Sequence, residues 1–353
     1  MDYYNMKKII NDKDFENLKK IVENDKAVGK QNNGVKILIY SLFICIINKY
    51  RKCDGNTVFV VNGKAELKFS KQSDATSLYY AVVSKKLGDY YKLRTHVSYI
   101  SRRFRAKLLF FSITHKVKNI PRGYLLDYLL WKAFFKVYDA ERIGGSGHYD
   151  RLTTQLAFLA SDNNKRYYMK QHGLLGHNMK LPHKFPVDMI VAYDAVEIEK
   201  FRKEITLNED CVFVAEYNST VEFEYTQKKE MNIGIIDTPI DEMPKLLEMI
   251  LASKYDGKYT IMLHPLSRIS VNDYKCENIQ FLKEKKKELN YDMIFSGPST
   301  LVYDYVKAGY DKPIIVYVMD RTSGLCDVSL CYENVKICYS LSEFQEICMD
   351  LSV

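Results

Sequence analysis

The fold is decided by two short segments of the C-terminal half, YTIMLHP at residues 259–265 and DMIFSGPST at residues 292–300. Each segment starts with an apolar run of the length of a buried strand and ends in turn residues, which is typical of a parallel sheet. The second segment leads into LVYDYVKAG at residues 301–309, whose apolar spacing predicts a helix. Ligands of open parallel sheets bind beyond the carboxyl ends of the strands. Both segments therefore predict a ligand site at that edge.

The rest of the C-terminal half alternates short apolar runs with longer amphipathic segments. This alternation indicates βαβ units and a doubly wound sheet. The predicted strands are 232–237, 259–263, 292–295, 313–318 and 335–339, and the predicted helices are 241–252, 279–289, 299–308 and 342–351.

The N-terminal half shows a looser version of the same alternation. The apolar residues around 15–22 have helical spacing. The predicted strands are 57–61, 107–113, 166–170 and 189–192, and the predicted helices are 73–87, 124–135 and 149–160. Residues 142–148 are expected to form a loop. Residues 195–230 are charged and lack a clear long element, so we expect the domain boundary there. The predicted fold class is α/β, with two Rossmann-like domains facing a central cleft: an N-terminal domain 1–195, a linker region 196–230 and a C-terminal domain 231–353.

The composition predicts two globular domains with an excess of positive charge. The chain has 353 residues, 47% of them hydrophobic, and a formal net charge of +8. Such an excess attracts phosphates, acidic glycans or anionic lipid headgroups. The most apolar segment, 37–47, is shorter than the about 20 residues that cross a bilayer. It predicts a buried helix, with a membrane-surface contact as the alternative.

The expected location is cytoplasmic, with a peripheral contact to the inner face of the membrane as a further expectation. Residues 1–5 are polar and unlike a signal peptide. The eight cysteines form no CxxC pair and no metal-ligand spacing, which favours reduced thiols. The aromatic residues are not interleaved with basic ones as in RNA-binding modules, so we expect no nucleic-acid partner.

The C-terminal half supplies the candidate nucleotide-binding residues. A histidine at the end of a strand can donate to a phosphate oxygen, and a following proline fixes the turn that aims it. A Gly-Pro turn with hydroxyl residues at a helix start can bind an anion, although plain helix capping uses the same groups. The two motifs are one βαβ step apart, so they are expected on neighbouring strands. The candidate nucleotide-binding residues are His264, Pro265, Ser296, Gly297, Pro298, Ser299 and Thr300.

The N-terminal half supplies the candidate general bases. His172 follows a predicted strand and precedes Gly173, and an imidazole that titrates near neutral pH can take a proton from a hydroxyl group. A structural loop histidine is the alternative. Asp139 and Glu141, ahead of the glycine loop 144–147, are rival bases, while a solvated loop with a helix cap at Asp150 is the other interpretation.

Two further features leave alternatives open. His172, His177 and His183 could suggest zinc, but no carboxylate or cysteine completes the ligand set, so no metal is expected. The basic residues Arg102, Arg103, Arg105 and Lys107 could meet an anionic acceptor or a membrane.

The motifs resemble those of the GT-B-fold glycosyltransferases. Within that class the chain is similar to the bacterial sialyltransferase and polysialyltransferase group and to the capsule and teichoic-acid polymer transferases. His264-Pro265 and Ser299-Thr300 match the two motifs that hold the CMP moiety in the sialyltransferases. Asp139-Ala140-Glu141 departs from their acidic pair followed by glycine, whereas His172-Gly173 resembles the His-Gly motif of the teichoic-acid polymerases.

This resemblance implies a metal-independent glycosyltransferase with a nucleotide-activated sugar as co-substrate and no other cofactor. A CMP-sugar is the favoured donor, and the implied acceptor is a bacterial surface glycan or glycolipid of a capsule, lipooligosaccharide or O-antigen. The alternatives are a CDP-polyol phosphotransferase of the teichoic-acid type, a nucleotide-sugar epimerase and a non-catalytic binder of anionic polymer.

Overall fold

The computed structural model describes most of the chain and defines its helices and strands. The described residues are 10–27, 38, 57–61, 76–79, 100–114, 117–138, 140–147, 150–176, 181–205, 209–217, 230–253, 255, 257–264, 266–274, 276–282, 290–319, 321 and 323–350. The helices are α1 (Asp12–Ala27), α2 (Arg102–Thr114), α3 (Arg122–Val137), α4 (Arg151–Asp162), α5 (Ala195–Glu204), α6 (Met243–Ala252), α7 (Leu301–Lys307), α8 (Leu325–Cys331) and α9 (Leu341–Asp350). The strands are β1 (Thr57–Val61), β2 (Thr76–Tyr79), β3 (Arg142–Gly145), β4 (Arg166–Lys170), β5 (Met189–Ala192), β6 (Val212–Ala215), β7 (Met231–Ile236), β8 (Gly257–Met262), β9 (Ile279–Leu282), β10 (Met293–Ser296), β11 (Ile314–Tyr317) and β12 (Val335–Cys338).

The strands form two parallel sheets, one in each half of the chain. The first has the order β2-β1-β3-β4-β5-β6 and the second the order β12-β11-β10-β7-β8-β9. In the first sheet the order reverses between β1 and β3, as in flavodoxin-like folds. Read from β9, the second sheet has the Rossmann order 3-2-1-4-5-6, and its order reverses between β7 and β10. The predicted α/β class with two Rossmann-like domains is confirmed.

The chain divides into two compact units. The first comprises Met1–His172 and Met179–Tyr217, and the second comprises Gly173–Asn178 and Asn218–Val353. Residues 195–230, for which no clear long element was predicted, contain α5 and β6. Both elements are short: α5 has 10 residues, of which only Glu197 and Phe201 are buried, and β6 has four.

Each unit has an apolar core between its sheet and its helices. In the second unit Ile233, Ile261 and Phe295 of the strands pack with Leu247 of α6 and Phe344 of α9. Each such side chain contributes about 1.5–3 kcal/mol when fully buried. In the first unit most of α3 is buried, including the single tryptophan, Trp131, and α3 packs against α1, α2 and α4. No helix among the described residues is long and apolar enough to cross a membrane.

Most predicted elements of the second unit are confirmed. Four local predictions were wrong, and three of them lie in the first unit. Residues 107–113 lie in helix α2, because a short apolar run does not distinguish a strand from a buried helix. Residues 76–79, predicted as helix, pair with β1 as strand β2. Residues 142–145, expected as a loop, form β3, and residues 279–282, expected as the start of a helix, form β9. The apolar segment 37–47 lies outside the described residues, apart from residue 38.

Candidate functional site

Three strands of the second sheet bring polar residues to one carboxyl edge. β7 ends before Asp237 and Thr238, β8 is followed by His264, and β10 ends at Ser296. The two predicted motifs do not lie on neighbouring strands, because β7 pairs with both β8 and β10 and lies between them. That prediction failed because a βαβ step in sequence need not be one step in the sheet when the order reverses. The central position belongs to Asp237 and Thr238, which the sequence reasoning did not select.

Asp237 ties the end of β7 to the loop after β8. Its carboxylate Oδ2 accepts the backbone N–H of His264 at 3.0 Å, and its own backbone N–H donates to the carbonyl of Met262 at 3.1 Å. Asp237 is only 2% exposed. Its other oxygen, Oδ1, has no hydrogen-bond partner among the described residues. A buried carboxylate oxygen without a donor is costly, so this atom is suited to accept a hydrogen bond from a ligand.

The ring of His264 is oriented by its own loop. Its Nδ1 accepts the backbone N–H of Leu266 at 3.0 Å, and its carbonyl accepts the N–H of Ser267 at 2.9 Å. Because Nδ1 acts as the acceptor, the neutral ring carries its proton on Nε2. His264 can therefore donate from Nε2 to an anionic oxygen. Pro265 lies outside the described residues.

The turn after β10 brings two backbone segments close together. A Cβ atom built on Gly297 would overlap Oγ1 of Thr238 and lie 3.2 Å from its Cβ, so a side chain at this position does not fit. Ser296 is buried and its hydroxyl donates to the carbonyl of Gly297 at 2.6 Å. The absence of a side chain keeps the backbone of the turn within reach of β7, at the point where the strand order reverses.

The hydroxyl residues at the start of α7 have separate roles. Oγ of Ser299 accepts the backbone N–H of Leu301 at 3.2 Å, which is the capping interaction that the sequence left as an alternative. The side chain of Thr300, which is exposed, makes no capping hydrogen bond. Pro298 is half-buried beside them. Ser299 therefore shapes the turn, while the hydroxyl of Thr300 is accessible to a ligand.

His172 lies at the carboxyl edge of the first sheet, behind a buried polar network. It is exposed and follows Gln171, which is fully buried after β4. The Gln171 side chain accepts the N–H of Tyr193 at 2.7 Å and donates to the buried carboxylate of Glu197. Glu197 also accepts from Lys200 at 2.8 Å. This network fixes the backbone next to His172, and Gly173 turns the chain with a φ of 89°.

The structure describes two of the other predicted residues, Glu141 and His183, and does not bring them to His172. Glu141 is exposed and precedes β3, at the amino edge, opposite to the edge that His172 follows. Its carbonyl accepts the N–H of Arg166 at 3.0 Å. His183 pairs with Glu23, and the described residues contain no group of three or more His, Cys, Asp or Glu side chains that could hold a metal ion. Asp139 and His177 lie outside the described residues.

Two cavities open at the amino edges of the sheets and not at the candidate residues. One of 680 Å³ lies at the start of β7, β8 and β9, and one of 420 Å³ lies at the start of β3 to β6. Ligands of open parallel sheets bind at the carboxyl edges. We therefore place the candidate site at the carboxyl edge that carries Asp237, His264 and Gly297.

Comparison with known proteins gives the fold and no sequence relative. No protein-family model and no curated protein matches the sequence. Among solved structures, MurG of Acinetobacter baumannii matches with a TM-score of 0.50 and 10% identity, over 84% of this chain and 88% of MurG. The glycosyltransferase SsfS6 of Streptomyces sp. SF2575, complexed with thymidine diphosphate, matches with a TM-score of 0.43 and 8% identity, over 84% of this chain and 91% of SsfS6. The wall teichoic acid polymerase TagF matches with a TM-score of 0.40 and 11% identity, over 96% of this chain and 88% of TagF.

The protein has the GT-B fold of glycosyltransferases. The two parallel sheets and the similarity to MurG establish this fold class. The narrower resemblance to the sialyltransferase group has no sequence match behind it and stays a prediction.

Proposed function

We propose that the protein is a glycosyltransferase that moves a sugar from a nucleotide-activated donor to a glycan acceptor. The single observation that carries the proposal is the pair of Asp237 and His264 beside Gly297. This pair lies at the carboxyl edge of a Rossmann-order sheet, next to the point where the strand order reverses, which is where such sheets bind nucleotides.

The C-terminal residues would bind the donor and stabilise the departing phosphate. In the reaction the bond between the sugar carbon and the phosphate oxygen breaks, and the phosphate leaves with the electron pair. Nε2 of His264 and the hydroxyl of Thr300 would donate to that phosphate as its charge develops. Ser296, Gly297, Pro298 and Ser299 would hold the turn, and Pro265 would fix the loop of His264. These donors would make a metal ion unnecessary.

His172 would act as the general base. It would take the proton from the acceptor hydroxyl while the acceptor oxygen forms its bond to the sugar carbon. The buried network of Gln171 supports a fixed position for His172. Asp139 and Glu141 remain the rival bases, and the location of Glu141 at the amino edge of its sheet weighs against it.

A CMP-sugar is the proposed donor, and a bacterial surface glycan is the proposed acceptor. The resemblance of His264-Pro265 and Ser299-Thr300 to the CMP-binding motifs supports the donor. The net charge of +8 supports an acidic acceptor, since an excess of positive charge raises the local concentration of anions. A CDP-polyol donor would use the same site. The product would then carry a polyol phosphate in place of a sugar, and this difference identifies the donor.

Thermal unfolding with CMP, CDP, UDP, GDP and ADP tests the nucleotide site. A nucleotide at about 100 times its dissociation constant adds about 2.7 kcal/mol to the free energy of unfolding. We expect a shift with cytidine nucleotides that is lost in His264→Ala and kept in His183→Ala. The second variant is a matched control, because His183 pairs with Glu23 in the first unit. If none of the five nucleotides shifts the unfolding of the wild-type protein, the proposed function fails.

A further inference from the structure

Helix α2 presents a face that does not serve the core of the first unit. Its buried side chains are Arg105, Leu108, Phe111 and Ser112. The opposite side carries the exposed residues Arg102, Arg103, Phe110 and Ile113, with the half-buried Lys107 beside them. At 100° per residue these five side chains fall within an arc of about 140°. We call them the basic–apolar face.

In the described part of the chain, both the apolar and the basic residues of this face carry a cost. Phe110 is 58% and Ile113 is 44% exposed, so each leaves apolar surface in water. Arg102 and Arg103 occupy the first turn of α2, which contains no acidic residue. The positive end of the helix dipole disfavours cations at this position. The unit therefore bears two small costs on the same face of one helix.

The surrounding sequence concentrates positive charge. Residues 90–126 contain nine lysine and arginine residues and no aspartate or glutamate. The whole chain carries a net charge of +8, so the rest of it has one more acidic than basic residue. Lys118 and Arg122, which follow α2, are also exposed. The excess of positive charge is therefore concentrated in the part of the sequence that contains α2, which favours an anionic partner for this part of the chain.

We propose that the basic–apolar face of α2 docks on an anionic lipid bilayer. An amphipathic helix lying in the interface inserts apolar side chains at the boundary between headgroups and acyl chains, while its cations meet the phosphates. Phe110 and Ile113 supply the apolar contact, and Arg102, Arg103 and Lys107 supply the charge. A soluble anionic polymer would satisfy the arginines but would leave Phe110 and Ile113 in water. This surface function goes beyond the proposed transfer reaction and does not depend on it.

Cosedimentation of the full chain with vesicles tests the proposal. Vesicles of phosphatidylcholine alone are compared with vesicles that contain 30% phosphatidylglycerol. We expect binding only to the anionic vesicles, and weaker binding as salt is raised from about 0.1 M to about 1 M, since the screening length falls from about 10 Å to about 3 Å. The double variant Arg102→Gln/Arg103→Gln should bind about 30-fold more weakly, at about 1 kcal/mol for each cation.

The apolar residues distinguish a membrane from a polymer. Phe110→Ser/Ile113→Ser should weaken vesicle binding at least about tenfold. Leu330→Ser, at an exposed apolar residue of the second unit, and Lys203→Gln/Lys258→Gln, at exposed ion pairs elsewhere, are the matched controls and should bind as the wild type does. Wild-type protein that stays in the supernatant with anionic vesicles overturns the proposal. So does vesicle binding that the Phe110→Ser/Ile113→Ser variant retains in full, because that result indicates attraction to charge alone.

Discussion

The buried carboxylate of Asp237 holds the backbone of His264 through a hydrogen bond of 3.0 Å between Oδ2 and the histidine N–H. This contact joins the ends of two neighbouring strands, β7 and β8, at the edge where the donor nucleotide is proposed to bind. It leaves the second carboxylate oxygen without a partner among the described residues. Asp237 thus positions His264, and its second oxygen can accept a hydrogen bond from the proposed nucleotide-sugar.

Replacement of Asp237 separates these two roles. Asp237→Ala removes both, and should lower the free energy of unfolding by about 1–3 kcal/mol because the N–H of His264 loses its acceptor. Asp237→Asn retains one oxygen for the N–H of His264, so it should restore most of the stability but not the nucleotide affinity. Calorimetric titration with the nucleotide and urea unfolding measure the two effects. Asp241→Asn, at an exposed ion pair with Arg268, is the control. Unchanged nucleotide affinity in Asp237→Asn would restrict Asp237 to a structural role.

Gly297 tests how closely β7 and β10 approach at the site. In Gly297→Ala the new methyl group collides with Thr238, so we expect a loss of about 1–3 kcal/mol in the free energy of unfolding. Thr238→Ala removes the colliding hydroxyl, and the double variant should therefore lose less than the sum of the two single variants. Denaturant unfolding of the four proteins gives the coupling. Additive losses would show that the two residues do not meet.

The sequence predicted the second sheet well because each of its main strands is a continuous apolar run that ends in turn residues. It failed at residues 107–113, since both faces of that run are apolar or basic and the pattern fits a helix as well as a strand. It also missed Asp237. The predicted strand 232–237 ends at Asp237 and is followed by Thr238 and Pro239. The rule that selected His264 at the end of its strand would also have selected Asp237.

The spatial order of the strands could not be read from the sequence in the same way. His264 and Ser296 follow consecutive predicted strands, yet β7 lies between them, and the helix predicted at 279–289 hid the strand β9. Parallel strands can be added on either side of the first strand, and only the packing of the crossover helices decides which side is used. The role of Gln171 was equally hidden, because its partners Tyr193 and Glu197 are more than 20 residues away.

Gln171 should act as a positioning residue for His172. Gln171→Met keeps the volume but removes the acceptor that Gln171 offers to the N–H of Tyr193 and the hydrogen bond that it donates to Oε2 of Glu197, which should cost about 1–3 kcal/mol of stability. We expect kcat to fall while the KM for the donor is unchanged, because the displaced group serves the acceptor. Steady-state kinetics below the unfolding temperature measure this split. Glu199→Gln, exposed on α5, is the control. A rise in KM without a fall in kcat would contradict the positioning role.

His172 itself should be required for turnover but not for donor binding. His172→Ala should reduce kcat at least about 100-fold, the usual contribution of a general base, with the nucleotide dissociation constant unchanged. Glu141→Gln should keep full activity, since Glu141 lies at the amino edge of its sheet. Product formation from donor and glycan acceptor is the measurement. Near-normal turnover in His172→Ala would show that His172 is not the general base. A loss of turnover in Glu141→Gln would assign that role to Glu141.

The thiols of the second unit predict how stability depends on alkaline pH. Burial raises the pKa of Cys338 to about 11 and that of Cys348 to about 12 from an ordinary value of 9.0. Between pH 9 and the raised pKa of each thiol, the unfolded chain loses the thiol proton while the folded chain retains it. The folded state then binds more protons, so its stability falls as the pH rises above about 9. The contribution of the thiols is fully present below that pH, where neither state is ionised.

Urea unfolding under reducing conditions from pH 7 to pH 11 measures this dependence. Cys348→Ala should lower the stability at pH 7 by creating a cavity, but it should also flatten the fall between pH 9 and pH 11, because one raised pKa is removed. Cys331→Ala, at an exposed thiol, is the matched control and should keep the wild-type slope. The buried tyrosines, whose pKa values burial also raises, add to the fall only from about pH 10 upwards. A Cys348→Ala slope equal to that of the wild type between pH 9 and pH 10 would mean that this thiol ionises as readily in the folded chain as in the unfolded one.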